Sequence, residues 1–461
     1  MAHAAPTTAM THYPLTPRST DDIIAWRHGQ PVAVGQLLAE AEILASRLPA
    51  GIHGVNRCHN RYRFMRAFLA VLMAGQTNLL PPDRLTATTR RLLSDYPGSY
   101  VLTDDPESAE NGAVISAVLT VKPAQPMDTA PSIDGDHLAA IAFTSGSSGQ
   151  PKPVPKPWHT LYESTRINTA AMGLAGKDPR NLLATVPPQH MYGLETSVLN
   201  PLLGSLAASQ GRPLLPADIQ AGLAALPEPR VLVTTPAHLS SLDDPQLTLP
   251  PIETIWSATA PLDTTLARRI EQRHATRVHE IYGFSEVGSL AQRRPVHTDT
   301  WRVFPGFTLR ESAPEGLQAE APHLPSSHNL PDRVSRQGNA HFCILGRGED
   351  LINVAGKRAS LRDLNQRLLA LPGVQDGVIF PRPNHDHGTA TRLAAMVVAP
   401  NRDATSLCDD LRREIEEAFL PRPIYHVAEL PRSETGKLPR NALLERLAAI
   451  EGNAPGYQEQ A

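Results

Sequence analysis

The chain has 461 residues, which corresponds to two or three domains at roughly 150 residues per domain. A hydrophobic fraction of 41% is enough for a sizeable buried core and excludes wholesale disorder. The 43 basic and 46 acidic residues nearly balance, so we expect no nucleic-acid partner.

The cysteines and the apolar runs indicate the cellular compartment of the protein. Cys58, Cys343 and Cys408 lie far apart, with no CxxC motif and no paired spacing, which argues against a disulfide framework or a zinc site. No apolar run reaches about 18 residues, and the first twenty residues lack the pattern of a secretory signal. We therefore predict a cytoplasmic protein with no membrane span.

The first part of the chain is predicted to alternate helices with short buried strands. Residues 61–74 place apolar side chains at helical spacing, and Gly75 follows as a plausible cap. Helices are also predicted at 158–173 and 264–274. Apolar runs bounded by turn residues predict strands at Leu138–Phe143, Leu182–Val186, Val231–Thr234 and Ile252–Trp256. This alternation predicts a layered α/β domain.

The rest of the chain is predicted to form a boundary region and a small α+β domain. Residues 311–340 are rich in proline, serine and glycine and have no clear period, so we expect irregular or edge structure there. The predicted elements that follow are a strand at 341–345, a helix at 361–371, strands at 374–380 and 392–399, a helix at 404–419, a strand at 424–429 and a helix at 440–450. We therefore predict a large domain over 1–345 and a small mobile domain over 346–461.

The sharpest motif is TSGSSGQPK at residues 144–152, directly after a predicted strand. Glycines let a backbone turn expose several N–H groups to one anion, and hydroxyls add further donors. Lys152 supplies a point charge at the rim. The motif predicts a phosphate-binding loop that is not a Walker A loop, because the GxxxxGK[ST] pattern is absent. A flexible surface turn remains the alternative.

Seven segments, taken in order, resemble the motifs of the adenylate-forming superfamily of acyl- and aryl-CoA synthetases, luciferases and peptide-synthetase adenylation domains. They are AFLAVLMAGQTNLLPPD (67–83), TSGSSGQPK (144–152), PPQHMYG (187–193), WSATAPLD (256–263), IYGFSEVG (281–288), LGRGEDLINVAGKR (345–358) and LPRSETGKLPR (430–440). The resemblance implies a two-domain enzyme that uses ATP and Mg²⁺ to form an acyl-AMP and pyrophosphate. A thiol, either CoA or the phosphopantetheine of a carrier protein, then accepts the acyl group.

The resemblance also implies which residues bind the nucleotide. Glu286 would hold Mg²⁺ against triphosphate oxygens, Tyr282 would stack on the purine, and Thr144 would belong to the catalytic set. The nucleotide-binding set would comprise Ser145, Gly146, Ser147, Ser148, Gly149, Lys152, Ala258, Thr259, Tyr282, Gly283, Ser285, Asp332 and Arg347. Ser285 stands where threonine is usual, and Asp332 lies in LPDRV and not in Thr-Gly-Asp. A surface role for Glu286 and a turn role for Asp332 are the alternatives.

The remaining implied roles concern catalysis and substrate entry. Lys437 would bridge the substrate carboxylate and the α-phosphate, where fixed positive charge stabilises adenylation. Glu349 would be the hinge of the small domain, although aspartate is more common there. Gly356 would line the thiol tunnel, and His190 and Gly193 the acyl pocket. The plainer alternatives are a surface lysine, a loop acid and a partly buried histidine.

The large domain is shorter than in most members of the superfamily. This trimmed form resembles the AMP-ligases of aryl-polyene and xanthomonadin-like pigment pathways, which implies an aromatic acid such as a hydroxybenzoate or hydroxycinnamate. The acceptor would be acyl carrier protein or CoA. The alternatives are a fatty acyl-CoA or acyl carrier protein synthetase, a catalytically silent nucleotide-binding relative and a kinase-like P-loop enzyme.

Overall fold

The computed structural model describes residues 11–105, 114–115, 125–144, 152–176, 179–312, 316–347, 351–354, 357–382, 392–433 and 436–452. They pack as two units. The first contains the chain as far as Arg310 together with Gln318–His328 and Gly338–His341. The second contains Glu311–Leu317, Asn329–Gln337 and the chain from Phe342 onward. The chain therefore passes between the units more than once, and a single boundary at residue 345 stays a prediction.

Seventeen described strands and nine described helices precede Thr308. The strands are β1 (His12–Pro14), β2 (Ile23–Arg27), β3 (Gln30–Ala33), β4 (His53–Asn56), β5 (Thr77–Leu80), β6 (Tyr100–Leu102), β7 (Val114–Ile115), β8 (Ser132–Asp134), β9 (Leu138–Thr144), β10 (Lys152–Pro157), β11 (Arg180–Ala184), β12 (Leu206–Ser209), β13 (Arg230–Thr234), β14 (Thr254–Ser257), β15 (Val278–Phe284), β16 (Gly288–Arg293) and β17 (Trp301–Val303). The helices are α1 (Val34–Ala45), α2 (Arg61–Met73), α3 (Thr86–Asp95), α4 (Trp158–Ala171), α5 (Met191–Leu194), α6 (Asn200–Leu203), α7 (Pro216–Ala224), α8 (Pro236–Leu242) and α9 (Thr264–His274). A π-helical turn over Glu195–Leu199 joins α5 to α6.

Two sheets carry the first unit. The smaller has the strand order β10-β9-β5-β4-β6-β7, in which β9 and β10 pair antiparallel and the other neighbours pair parallel. The larger has, within this unit, the order β17-β16-β15-β14-β13-β11-β12-β2-β3, and the strands from β15 to β2 run parallel. Parallel sheets with helical connections are the mark of α/β domains, which confirms the predicted class.

Local sequence explains several of these elements. Asn60 caps α2 by accepting a hydrogen bond from the main-chain N–H of Arg63, and α2 buries the apolar face predicted for residues 61–74. Gly75 follows with φ of +70°, a backbone conformation suited to glycine. The four apolar runs predicted as strands form β9, β11, β13 and β14, with ends that differ by one or two residues.

One face of the larger sheet changes from apolar to polar along its length. Leu183, Leu232 and Ile255 of three neighbouring strands lie in one core with α7, α8 and α9. Side chains alternate between the faces of a strand, so the residues two positions later share that face. The core therefore ends near Thr234 and Ser257, where the chain leaves the sheet. Within the described residues, no helix is long and apolar enough to cross a membrane.

The remaining strands and helices complete the chain. The strands are β18 (Thr308–Ser312), β19 (Gly316–Glu320), β20 (His328–Asn329), β21 (Asp332–Gln337), β22 (His341–Arg347), β23 (Leu351–Val354), β24 (Lys357–Ser360), β25 (Asp376–Pro381), β26 (Leu393–Val398) and β27 (Ile424–His426). The helices are α10 (Leu361–Ala370), α11 (Ala404–Glu414) and α12 (Arg440–Gly452). In the sheet β25-β26-β27, Leu368 and Leu411 pack on one face, whereas Leu443 and Leu447 pack on the other. This arrangement confirms a small α+β unit.

Two predictions for this part of the chain are wrong in detail. Residues 311–340 contain regular strands, of which β20 and β21 lie at sheet edges as predicted, so only the irregular structure is wrong. The alternating burial of Leu317 and Ala319 in β19 is not evident from the sequence, which is rich in proline and glycine there. The helix predicted over 404–419 ends at Glu414, and a short 3-10 turn covers Glu417–Phe419. Phe419 nevertheless lies in the same core as Leu411, so the apolar stripe indicates shared burial and not one continuous helix.

Candidate active site

The candidate site lies where parallel strands of the larger sheet end. Strands β11, β13, β14 and β15 are neighbours in one parallel array, so their carboxyl ends meet at one edge. Ligands of open α/β sheets bind outside such ends. The predicted residues that follow these strand ends are His190, Ala258, Thr259, Ser285 and Glu286. The structure thus brings this part of the predicted set to a single edge.

The segment after β14 has an unusual backbone. Ala258 is buried, and Thr259 adopts φ of +82°. A β-branched residue rarely takes a positive φ. Such a conformation costs about 1–3 kcal/mol, and residues that adopt one cluster at active sites and ligand-binding sites. The positive φ of Thr259 makes this segment a candidate for ligand binding, and its contact with the nucleotide stays a prediction.

The turn that joins β15 to β16 carries Glu286. A Cβ at Gly283 would lie 2.2 Å from the carbonyl oxygen of Gly288, so the two strands approach more closely than any side chain would allow. Glu286 is partly exposed, and its carbonyl oxygen accepts a hydrogen bond from Lys156 Nζ at 2.7 Å. Tyr282 is buried, with its ring centroid 5.6 Å from that of Trp301. Its stacking on a purine stays a prediction.

The glycine-rich motif lies between two paired strands. Thr144 at the end of β9 is paired with Lys152 at the start of β10, so the two ends of the motif are neighbours in the sheet. Lys152 is exposed. The predicted residues Ser145, Gly146, Ser147, Ser148 and Gly149 lie outside the described residues.

The segment between β11 and α5 folds back on itself. A Cβ at Gly193 would lie 1.9 Å from the carbonyl oxygen of Pro187, so only glycine fits there. His190 is partly buried and caps α5, because its carbonyl oxygen accepts the Leu194 N–H at 2.7 Å. The neighbouring Tyr192 hydroxyl donates to the carbonyl oxygen of Trp256 at 2.9 Å, which ties this segment to the end of β14. We did not predict Tyr192 from the sequence.

The predicted residues of the second unit are best described within that unit. Asp332 begins β21 and Arg347 ends β22, and the two strands are neighbours joined by three residues. Strands with so short a connection run antiparallel, so Asp332 and Arg347 share one end of the pair. Glu349 and Gly356 lie outside the described residues.

Lys437 is exposed on a loop with defined anchors. Its carbonyl oxygen accepts the Ser433 N–H at 2.7 Å, and Gly436 adopts φ of +76°. Arg432 forms a two-pronged ion pair with Asp376 at 2.6 and 2.7 Å and also donates to the carbonyl oxygen of Gly436. Such forked pairs fix geometry as well as charge. Arg432 therefore holds the base of the lysine loop, a role that the sequence did not reveal.

The donor set at the strand edge is compatible with magnesium. In the described part of the chain no three His, Cys, Asp or Glu residues are grouped as a metal cage. Mg²⁺ is usually bound through one or two carboxylates together with substrate phosphates and water. The partly exposed carboxylate of Glu286 fits that kind of site.

The model of a known family matches the chain over residues 16–310, and its description is AMP-binding enzyme. This chain belongs to the AMP-binding enzyme family, the adenylate-forming superfamily. The match covers most of the first unit and includes the glycine-rich motif, the PPQHMYG segment and the turn of Glu286. The superfamily resemblance of the motifs is thereby confirmed.

Individual members of the superfamily are similar at low identity. A 4-coumarate–CoA ligase of Rhodobacter capsulatus is 30% identical over 240 residues, which is 51% of this chain and 59% of that protein. The match thus spans about three fifths of the ligase. A 3,4-dihydroxybenzoate–[aryl-carrier protein] ligase of Bacillus anthracis is 23% identical, with 67% of this chain and 74% of the relative covered. The solved O-succinylbenzoate CoA synthetase of Bacillus subtilis, in complex with ATP and magnesium, has a TM-score of 0.77 at 18% identity and covers 94% of this chain and 100% of its own. That likeness confirms the predicted fold.

A partly buried histidine lies beside this edge of the sheet. His238, in the first turn of α8 just after β13, has its Nδ1 2.9 Å from Thr235 Oγ1 and 3.3 Å from Thr185 Oγ1. Burial lowers the pKa of His238 to about 4, and the charge of Arg212 acts in the same direction. Burial also lowers the pKa values of His279 and His323 to about 4. The folded enzyme therefore keeps these imidazoles neutral.

We expect acid to destabilise the fold through these histidines. Between about pH 6.5 and pH 4 an unfolded chain takes up protons that the folded chain excludes, so the free energy of unfolding falls as the pH falls. In urea titrations, His238→Asn should reduce the difference in the free energy of unfolding between pH 7 and pH 5. The part of this difference that remains should come from His279 and His323. The exposed His426→Asn serves as the control. Equal pH dependence in the His238→Asn variant and the parent would contradict a lowered pKa of His238 in the folded chain.

Proposed function

We propose that the chain is an acid–thiol ligase that works in two steps. A carboxylate oxygen attacks the α-phosphorus of ATP. The bond between this phosphorus and the oxygen that bridges it to the β-phosphorus breaks, and acyl-AMP and pyrophosphate form. A thiol then attacks the acyl carbon, and AMP leaves as the thioester forms. The observation that carries this proposal is a hydrogen bond between the strand that follows the glycine-rich motif and the turn of Glu286. Lys156 Nζ donates it to the Glu286 carbonyl oxygen at 2.7 Å.

The residues of the first unit would bind the nucleotide. The segment that starts at Thr144 would surround the phosphates with backbone N–H groups and hydroxyls. Glu286 would hold Mg²⁺, which when bound offsets the charge of the triphosphate. Ala258 and Thr259 would lie against the adenine, whereas Asp332 and Arg347, which belong to the second unit, would bind the ribose.

The second unit would contribute the catalytic cation. Lys437 would stabilise the negative charge that grows between the carboxylate and the α-phosphate. Its exposed position, on a loop whose base is fixed by the Arg432–Asp376 pair, supports a side chain that can enter and leave a site. Glu349 would be the hinge about which this unit turns, and Gly356 would line the thiol path.

The acid is proposed to be aromatic, with CoA or a carrier protein as the acceptor. Support comes from relatives named for 4-coumarate and for 3,4-dihydroxybenzoate, one using CoA and the other an aryl-carrier protein. A fatty acid is the second candidate, because a fatty acid–[acyl-carrier-protein] ligase of Mycobacterium marinum is 23% identical over 370 residues. His190, Gly193 and Tyr192 would line the acyl pocket. The three cysteines, which form no disulfide among the described residues, support a cytoplasmic location.

The reaction products test the proposed function. With ATP, Mg²⁺ and a panel of aromatic and fatty acids, the protein should catalyse acid-dependent pyrophosphate exchange and yield AMP. Reactions without acid are the control. ADP and phosphate as stoichiometric products would show a kinase or a phosphatase instead, and binding of ATP with no exchange for any acid would show a silent relative.

Lys437→Ala should separate the two steps. Loss of one preorganised charge slows a step by roughly 10²–10³-fold, so pyrophosphate exchange should fall by that factor. Thiol-dependent release of AMP from preformed acyl-AMP should change little, because Lys437 is proposed to act only while the acyl-AMP forms. Arg446→Ala, which removes an exposed cation from α12 of the same unit, is the control and should leave both steps unchanged.

Glu349→Pro provides the opposite case. Proline fixes φ and should hinder the hinge, so the thiol-dependent step should be slowed more than pyrophosphate exchange. If Lys437→Ala and Glu349→Pro slow the two steps in equal proportion, alternation between two states of the second unit is not how the enzyme works.

A further inference from the structure

Lys156 is a buried cation outside the predicted site. It lies in β10, four residues after Lys152, and only 2% of its surface is exposed. Lysine is almost never fully buried unless its ammonium is paired, and an aliphatic side chain would fill the same space without the cost of desolvation. The ammonium donates to the Glu286 carbonyl oxygen at 2.7 Å. A specific polar interaction, and not packing, therefore accounts for a lysine at this position.

Glu195 is a buried anion close to the same turn. It occupies the first position of the π-helical turn between α5 and α6, and such turns are frequent at functional sites. Its carboxylate accepts hydrogen bonds from Ser164 Oγ at 3.0 Å, from Ser289 N–H at 2.9 Å and from Ser289 Oγ at 2.6 Å. Burial lowers the pKa of Lys156 to about 8 and raises the pKa of Glu195, and the opposite charge of each residue acts against the shift of the other.

The turn of Glu286 is thus held at two points by opposite charges. Lys156 holds the carbonyl of Glu286, and Glu195 holds Ser289 three residues later. Gly288, between them, adopts φ of +86°, and a Cβ there would lie 2.2 Å from Glu195 Oε1. The backbone therefore lies directly against the Glu195 carboxylate. Rotation of the turn would break charged hydrogen bonds at both points.

We propose that Lys156 and Glu195 are positioning residues that fix the turn of Glu286 relative to the β9–β10 hairpin and so preorganise the site for magnesium and the β- and γ-phosphates. The inference rests on the proposed function and adds to it. Lys156 belongs to the hairpin that carries the glycine-rich motif, so one buried bond joins the two elements that would face the triphosphate. Neither residue touches the nucleotide; each acts through Glu286.

The proposal distinguishes ATP from AMP. AMP lacks the β- and γ-phosphates, so a misplaced Glu286 should weaken MgATP binding and leave AMP binding nearly intact. A residue that only stabilises the fold would weaken both ligands together or neither. Equilibrium binding of MgATP and of AMP, measured by calorimetry without an acid substrate, therefore separates the two roles and does not depend on turnover.

The test uses isosteric variants with matched controls. Lys156→Met and Glu195→Gln should each weaken MgATP binding about tenfold and change AMP binding less than twofold. Arg66→Met and Glu40→Gln remove the partners of another buried ion pair of the first unit, 2.6 Å apart, and should leave both affinities unchanged. Thermal unfolding curves of all four variants will establish whether each is folded at the temperature of the binding assay.

A double-mutant cycle tests whether Lys156 acts through Glu286. In the Glu286→Gln background, Lys156→Met should have little further effect on MgATP binding, because coupled residues are not additive. Additive effects, or equal losses of MgATP and AMP binding in Lys156→Met, overturn the inference. A parent protein that binds no MgATP overturns the proposed function. If the parent binds, Glu286→Gln binds more weakly and Lys156→Met binds as the parent does, only the inference fails.

Discussion

The candidate site depends on one constraint, the common end of four parallel strands. Because β11, β13, β14 and β15 run side by side in the same direction, the segments after them must leave the sheet at one edge. Those segments come from positions as far apart in the chain as His190 and Glu286. The apolar core below this edge, with Leu232 and Ile255 on one face, leaves the polar groups at the strand ends. Packing in the sheet thus determines where chemistry can occur.

The backbone at this edge is bent in ways that only particular residues allow. Gly193 lies against Pro187, and Gly283 lies against Gly288, at distances that leave no room for a side chain. Thr259 takes a positive φ that its side chain disfavours. Two buried charged groups also lie here. The ammonium of Lys156 and the carboxylate of Glu195 both form charge-assisted hydrogen bonds, which are stronger than hydrogen bonds between neutral groups. A rigid and polar edge of this kind suits an anionic ligand.

Sequence reasoning identified the elements whose signal is local. The helix over Arg61–Met73, the strand before Thr144 and the order of the superfamily motifs could be predicted because periodicity, caps and glycine positions lie within a few residues of each other. Lys156 and Glu195 could not. Each is one charged residue among uncharged neighbours, and their partners Glu286 and Ser289 lie 130 and 94 residues further along the chain. Such pairs exist only after the sheets have formed.

The central claim is that the β9–β10 hairpin and the turn of Glu286 form one site for the triphosphate. Hydrogen exchange of backbone amides with and without MgATP tests it most directly, because every segment is observed at once. The account predicts that MgATP slows exchange in residues 144–157 and in residues 282–289 together, and that AMP slows it less in the second segment. Protection of one segment without the other, or of neither, would contradict a shared site.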